Sequence, residues 1–149
     1  MALEELITYF SEVDEKTMIV FFGDHQPSDT VAYPVLALNG KSTANLSEED
    51  TKLRYEVPYV IWTNYETETV TGADTSVNYL GVEMLERAGI TLPAYQAYLA
   101  KLQEKYPILS SVRIVDQEGK ETSVKEEKNA LEEYQKLQYY QLFDWEEEE

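Results

Sequence analysis

Cysteine is absent from this chain of 149 residues, and histidine occurs once. The first absence excludes disulfides, thiolate metal sites and a cysteine nucleophile. The second excludes any metal motif that needs two histidines from this chain, HExxH included. Basic residues are scarce: 12 Lys and Arg stand against 29 Asp and Glu, for a formal net charge of −17. Such a surface repels nucleic-acid phosphates and anionic lipid headgroups, so neither is expected as a partner. It also gathers divalent cations loosely, and an isolated carboxylate is therefore no sign of a site. No apolar run approaches the roughly 18 residues that would suggest a membrane span. The start, MALEELITYF, has neither the basic n-region nor the cleavage site of a signal peptide. The expectation from these absences is a soluble chain carrying no address.

The apolar fraction, 43%, argues against wholesale disorder. A chain of this length buries about 68–70% of its unfolded surface, enough for one domain with a real core. Leu3, Leu6, Ile7 and Phe10 follow the spacing of one helical face. Nothing ahead of them offers an N-cap, which predicts a helix continued from something longer. Met18–Phe22 is an unbroken apolar run, the pattern of a strand covered on both faces as in a parallel sheet between helices. Residues 26–56 read as a long loop punctuated by Pro27, Pro34 and Asn39-Gly40. Val57 to Asn64 reads as a second strand. Val77, Leu80, Met84 and Leu85 mark a helix, with Asp74 or Ser76 as N-cap and Gly89 as the stop. Pro93 opens the next helix and Pro107 ends it. SVRIVDQEGKETSV is a hairpin turning at Gln117-Glu118-Gly119, and an amphipathic helix on Leu131 and Tyr134 precedes an acidic tail. The order predicts an α/β fold with few sheet strands, in the manner of the C-terminal part of a larger protein.

The one histidine sits in Gly23-Asp24-His25, directly after the first strand. In open α/β sheets, ligands bind outside the carboxyl ends of the strands. In a turn, a carboxylate oxygen and a neutral imidazole nitrogen can both reach one ion. That donor pair suits zinc or manganese, and magnesium less typically. Two ligands do not make a tight site, and the alternative is a polar turn with Asp24 capping the backbone and His25 exposed.

FFGDHQP, then YEVPYVIWTNYE, then SVNYLGVEMLERAGITLPAYQAYLAKLQEKYP resembles the C-terminal portion of lipoteichoic acid synthase-like proteins. These belong to the sulfatase branch of the alkaline phosphatase superfamily. The likeness is strongest over residues 1–107, and residues 108–149 add the hairpin, the last helix and the acidic tail. It implies a C-terminal fragment of a sulfatase-like catalytic sheet with flanking helices. It further implies that Asp24 and His25 are metal ligands, with manganese the first choice and magnesium or zinc as alternatives. The family's glutamate ligand and threonine nucleophile lie in motifs upstream of everything here, so no catalytic residue is assigned. Thr17, Thr30 and Thr43 do not sit in the nucleophile's motif. The implied parent is a bacterial membrane protein with an extracytoplasmic phosphoglycerol transferase or sulfatase-like domain. Its substrate would be a lipid- or glycan-linked phosphoglycerol or sulfate ester, and this chain's partner the upstream part of the same protein. A reading of another class is an acidic binding module that has lost catalysis.

Other residues carry weaker signals. Gln26, Ser28 and Asp29 follow the motif and could line a substrate pocket, though a hydrogen-bonded loop is the better account of each. Tyr55, Tyr59, Trp62 and Tyr65 resemble a carbohydrate platform, but strand alternation favours core packing. Asn64 follows the second strand and could face the same edge as Asp24. Arg54, Arg87 and Arg113 are scattered and form no cluster in the sequence.

Overall fold

The computed structural model describes residues 2–144, and the chain divides into two units, Met1–Thr69 and Val70–Glu149. The glutamate tail lies outside the described residues. The architecture is mixed α/β, with helices and small antiparallel sheets.

The first unit begins with helix α1, Ala2–Ser11, whose Leu3, Ile7 and Phe10 are half-buried along one face. Strand β1, Met18–Phe22, pairs with strand β2, Tyr59–Thr63, in a two-stranded ribbon. The pairing is antiparallel, from Met18 opposite Thr63 to Phe22 opposite Tyr59. The parallel, doubly covered strand expected from the apolar run is therefore corrected. An apolar run reports that side chains favour cover, not which strand direction supplies the partner. Phe21 and Phe22 remain 53% and 45% exposed, and no described residue of this unit is buried.

The antiparallel register also corrects the placement of Asn64. Antiparallel pairing puts the end of β2 beside the start of β1, so Asn64 lies next to Thr17, at the far end of the ribbon from Asp24. There it acts as a clamp. Its backbone N–H donates to the Thr17 carbonyl at 3.1 Å, and its Oδ1 accepts from the Thr17 N–H at 2.8 Å. Its Nδ2 shares its protons among the carbonyls of Phe10, Val13 and Glu15 at 2.9–3.0 Å. One amide thereby ties the end of α1 to the ribbon.

The segment read as loop contains two helices, α2 over Asp29–Leu38 and α3 over Glu48–Leu53. Proline 34 lies inside α2. It has no N–H to offer the helix, which is why the pattern reads as broken in the sequence. Helix α3 carries a legible start signal that the loop reading passed over. Ser47 Oγ accepts from the Asp50 N–H at 3.1 Å and donates to Asp50 Oδ2 at 2.8 Å, so the N-cap is bonded twice to Asp50.

The second unit holds the core. A 3₁₀ turn, Val77–Tyr79, leads into α4, Leu80–Arg87, and α5 follows over Ala94–Lys105. Strands β3 (Ile108–Leu109), β4 (Ile114–Val115) and β5 (Glu121–Thr122) form a three-stranded antiparallel sheet. The β4–β5 pair is the expected hairpin, and Gly119 sits in its turn at φ 78°, where a side chain would be strained. Strand β3 was not anticipated. Helix α6, Lys128–Tyr139, runs on into a π turn, Tyr140–Asp144. Tyr79, Val82, Leu99, Leu102, Tyr106, Leu109, Ile114 and Leu131 form one buried cluster. Ser76, an expected N-cap, does precede the 3₁₀ turn, but its hydroxyl accepts from the Leu109 N–H at 2.8 Å and so joins the turn to β3.

Candidate functional site

The turn after β1 is positioned by a close backbone approach. The Gly23 N–H donates to the Pro58 carbonyl at 3.1 Å, extending the ribbon by one step. A Cβ built on Gly23 would lie 2.9 Å from the Val57 Cβ and 3.2 Å from its Cγ1. Glycine is needed here for that approach rather than for an unusual backbone angle. Gln26 strengthens the join by donating its side-chain N–H to the Glu56 carbonyl.

Asp24 and His25 then project together. Asp24 Oδ1 accepts from the His25 backbone N–H at 2.9 Å, which fixes the carboxylate over the turn. Its other oxygen, Oδ2, lies 3.5 Å from His25 Nε2. His25 Nδ1 is 2.8 Å from the Gln26 carbonyl. A carbonyl only accepts, so this contact is a hydrogen bond when Nδ1 carries the proton. Nε2 is then left with a free lone pair beside the carboxylate. Two such ligands, each about 2.1 Å from an ion at the tetrahedral angle, sit about 3.4 Å apart. The pair fits one divalent ion. Both side chains are open to solvent, at 83% and 76%. Among the described residues no group of three or more His, Cys, Asp or Glu converges to hold a metal. The chain thus offers two donors and not a complete shell.

Beside the pair lies a cavity of about 460 Å³, lined by Asp24, His25, Gln26, Asp29, Thr43, Leu46, Thr51, Arg54, Tyr55 and Val57. The N-terminal turn of α2 supplies Asp29, and the end of α3 supplies Thr51 and Arg54. Arg54 Nη2 donates to Asp29 Oδ1 at 2.6 Å. Of the residues anticipated from the sequence, Gln26 and Asp29 reach this cavity. Ser28 instead pairs its hydroxyl with that of Thr30 at 2.9 Å. Arg54, Thr43 and Thr51 are not marked as cavity residues by the sequence, because the segment holding α2 and α3 has a loop-like composition. The Ser47 N-cap ahead of three acidic residues is the available signal. The aromatic platform does not assemble as one surface: Tyr55 joins the cavity, while Tyr59 and Trp62 occupy opposite faces of the ribbon. Trp62 is half-buried, short of the core position expected for it.

These features accord with what the chain is similar to. Residues 1–90 match the sulfatase family, and the chain belongs to it. The family falls in the alkaline phosphatase-like superfamily, and its members generally use divalent metals. The curated relatives include a protein of Rhizobium meliloti (strain 1021), provisionally named cyclic beta-1,2-glucan modification protein, that is 27% identical over 124 residues. The match covers 82% of this chain and 19% of that protein, so the chain spans about a fifth of the relative's length. No solved structure matches. Among the described residues, no helix is long and apolar enough to cross a membrane.

Proposed function

We propose that this chain supplies the Asp-His half of the divalent metal centre in a larger sulfatase-family enzyme. That enzyme, on this reading, is lipoteichoic acid synthase-like and acts on a glycan- or lipid-linked phosphoglycerol or sulfate ester. The observation that carries the reading is the 3.5 Å approach of Asp24 Oδ2 to His25 Nε2 at the end of β1, in a segment that matches the family. Asp24 and His25 would hold the ion, manganese by preference. When bound, the ion lowers the pKa of an attacking hydroxyl and polarises the ester oxygen. The chain's own residues do the positioning. Asp24 is pinned by the His25 N–H, and His25 is oriented by the Gln26 carbonyl, which is how outer partners commonly fix a ligating imidazole.

Several observations support a remaining part of the site outside this chain. The relative is some five times longer than the matched segment. The unit bearing Asp24 and His25 has no buried described residue and leaves Phe21, Phe22 and Val60 largely exposed at the site end of the ribbon. Covering that surface is the role we assign to upstream strands of the same protein, in a bacterial envelope enzyme. The relative's name, with its glucan modification, supports a glycan acceptor.

The test uses manganese with this chain and with the longer parent. In this chain, manganese should broaden the His25 ring resonances weakly, with no turnover of chromogenic phosphate or sulfate esters. In the parent, His25→Ala should remove bound metal and turnover together. Equal metal binding by an active parent without His25 would defeat the assignment, as would Asp24-dependent turnover by the 149-residue chain.

A further inference from the structure

The cavity beside the Asp24–His25 turn contains one cationic side chain among its described lining residues, Arg54, and that cation is already engaged. Its guanidinium has five N–H donors in a planar fork suited to tetrahedral oxyanions. One of them donates to Asp29 Oδ1 at 2.6 Å, the only hydrogen bond the Arg54 side chain makes among the described residues. A single-donor contact leaves most of the fork unused. The Arg54 side chain is 26% exposed and that of Asp29 51%, so the pair faces water at the cavity wall. Exposed pairs of this kind hold weakly.

Asp29 also has somewhere else to go. It lies in the first turn of α2, where a carboxylate is favoured by the helix dipole with or without Arg54. The Tyr33 hydroxyl, one turn along, already donates to its Oδ2 at 3.4 Å. Releasing Arg54 therefore strands neither the carboxylate nor the helix end.

We propose that Arg54 is an oxyanion subsite whose resting occupant is Asp29, and that the phosphate or sulfate oxygens of a substrate displace this carboxylate from the fork. The inference rests on reading the Asp24–His25 turn as part of an active site. Without Asp29 on the fork, Arg54 offers two parallel N–H donors to one substrate group. Arg54 thus sets which end of the ester enters the cavity, and Asp29 sets how readily.

The experiment titrates inorganic phosphate and, separately, inorganic sulfate into the metal-free 149-residue chain, at constant ionic strength. The readout is the Arg54 Nε–H resonance. A saturable shift is expected with at least one anion, and the tighter of the two identifies the ester class. Arg54→Gln should abolish the saturable shifts of neighbouring Thr43 and Thr51. Asp29→Asn should tighten binding about two- to fivefold, the competition an exposed ion pair can exert. The same charge change at Asp74, in the second unit, should leave affinity unchanged. No saturable shift, persistence of binding in Arg54→Gln, or no tightening in Asp29→Asn would overturn the proposal. Should Arg54→Gln fail to fold, the wild-type shift and the Asp29→Asn comparison still decide it. Manganese broadening of His25, measured in parallel, separates the two claims: its absence would remove the metal reading while leaving the oxyanion result to stand or fall alone.

Discussion

At the scale of single residues, Gly23 does more to place the Asp24–His25 turn than those two side chains themselves. Gly23 lets the chain pass against Val57 where a methyl group would meet a branched Cβ at 2.9 Å. A Cβ cannot rotate away, so the backbone has to shift. Gly23→Ala should therefore cost about 1–3 kcal/mol, in the manner of other overpacked contacts. It should also weaken manganese broadening at His25 while Asp24 and His25 are themselves intact. A thermal melt paired with the manganese titration checks this, and an unchanged titration would show that the turn is not held by that approach. Glycine in a Gly-Asp-His tripeptide is legible as a turn. That it answers to Val57, more than thirty positions later, is not, because only the β1–β2 register brings the two together.

At the scale of elements, the short helix α3 is set by its cap. Six residues cannot sustain a helix by propensity alone. Ser47 and Asp50 exchange two hydrogen bonds, and Lys41 donates to Asp50 Oδ1 at 2.5 Å. The Lys41 hydrogen bond, followed by that of Ser47, holds the Asp50 carboxyl below its usual range. Ser47→Ala should cost about 0.5–2 kcal/mol. The loss should show as reduced helical chemical shifts over residues 48–53 and as loosening of Arg54, which caps the far end. Retention of full helicity would mean that the ion pair, and not the cap, sets the helix. The contrast with α2 is instructive. Helix α2 starts after Ser28, whose hydroxyl makes no cap bond, and contains Pro34. Local signals oppose it, and the fold keeps it nonetheless.

At the scale of the whole molecule, the two units differ in how they are built. The second unit packs tyrosines as core: Tyr79 and Tyr106 are fully buried, with Tyr95, Tyr98 and Tyr134 packed against them. Burial pushes the hydroxyl pKa of all five upward, and for Tyr106 burial and its hydrogen bond to Glu127 push it up to about 12. A neutral phenol in the fold that ionises at about 10 when unfolded lets the unfolded state release its proton first. Stability from this source is complete below pH 10 and is lost as pH rises from 10 toward 12. The tyrosinate absorbance contributed by these five residues should therefore rise together with loss of the second unit's fold. Ionisation of all twelve tyrosines at intact structure would contradict it. Amide exchange should also differ between the units. With no buried described residue in the first, β1 and β2 amides should exchange well before those of α5. Equal protection would show that the first unit has a core of its own.

The amino-acid sequence by itself determined the elements whose signals are local. These include α1, both ribbon strands, the helices opened at Leu80 and after Pro93, and the hairpin turn at Gly119. It also determined that Asp24 and His25 leave a strand end side by side. Each of these follows from periodicity, punctuation or adjacency, all of which act within about one turn or one strand. Tertiary structure decided what depends on partners distant along the chain. The antiparallel register moved Asn64 to the end of the ribbon away from the site. The helices α2 and α3 carried Asp29 and Arg54, 25 positions apart, into one ion pair beside the Asp24–His25 turn. An apolar run does not state its strand partner, and a scattered arginine does not state its carboxylate. Those choices are made by hydrogen-bond register and packing, which no stretch of residues contains alone.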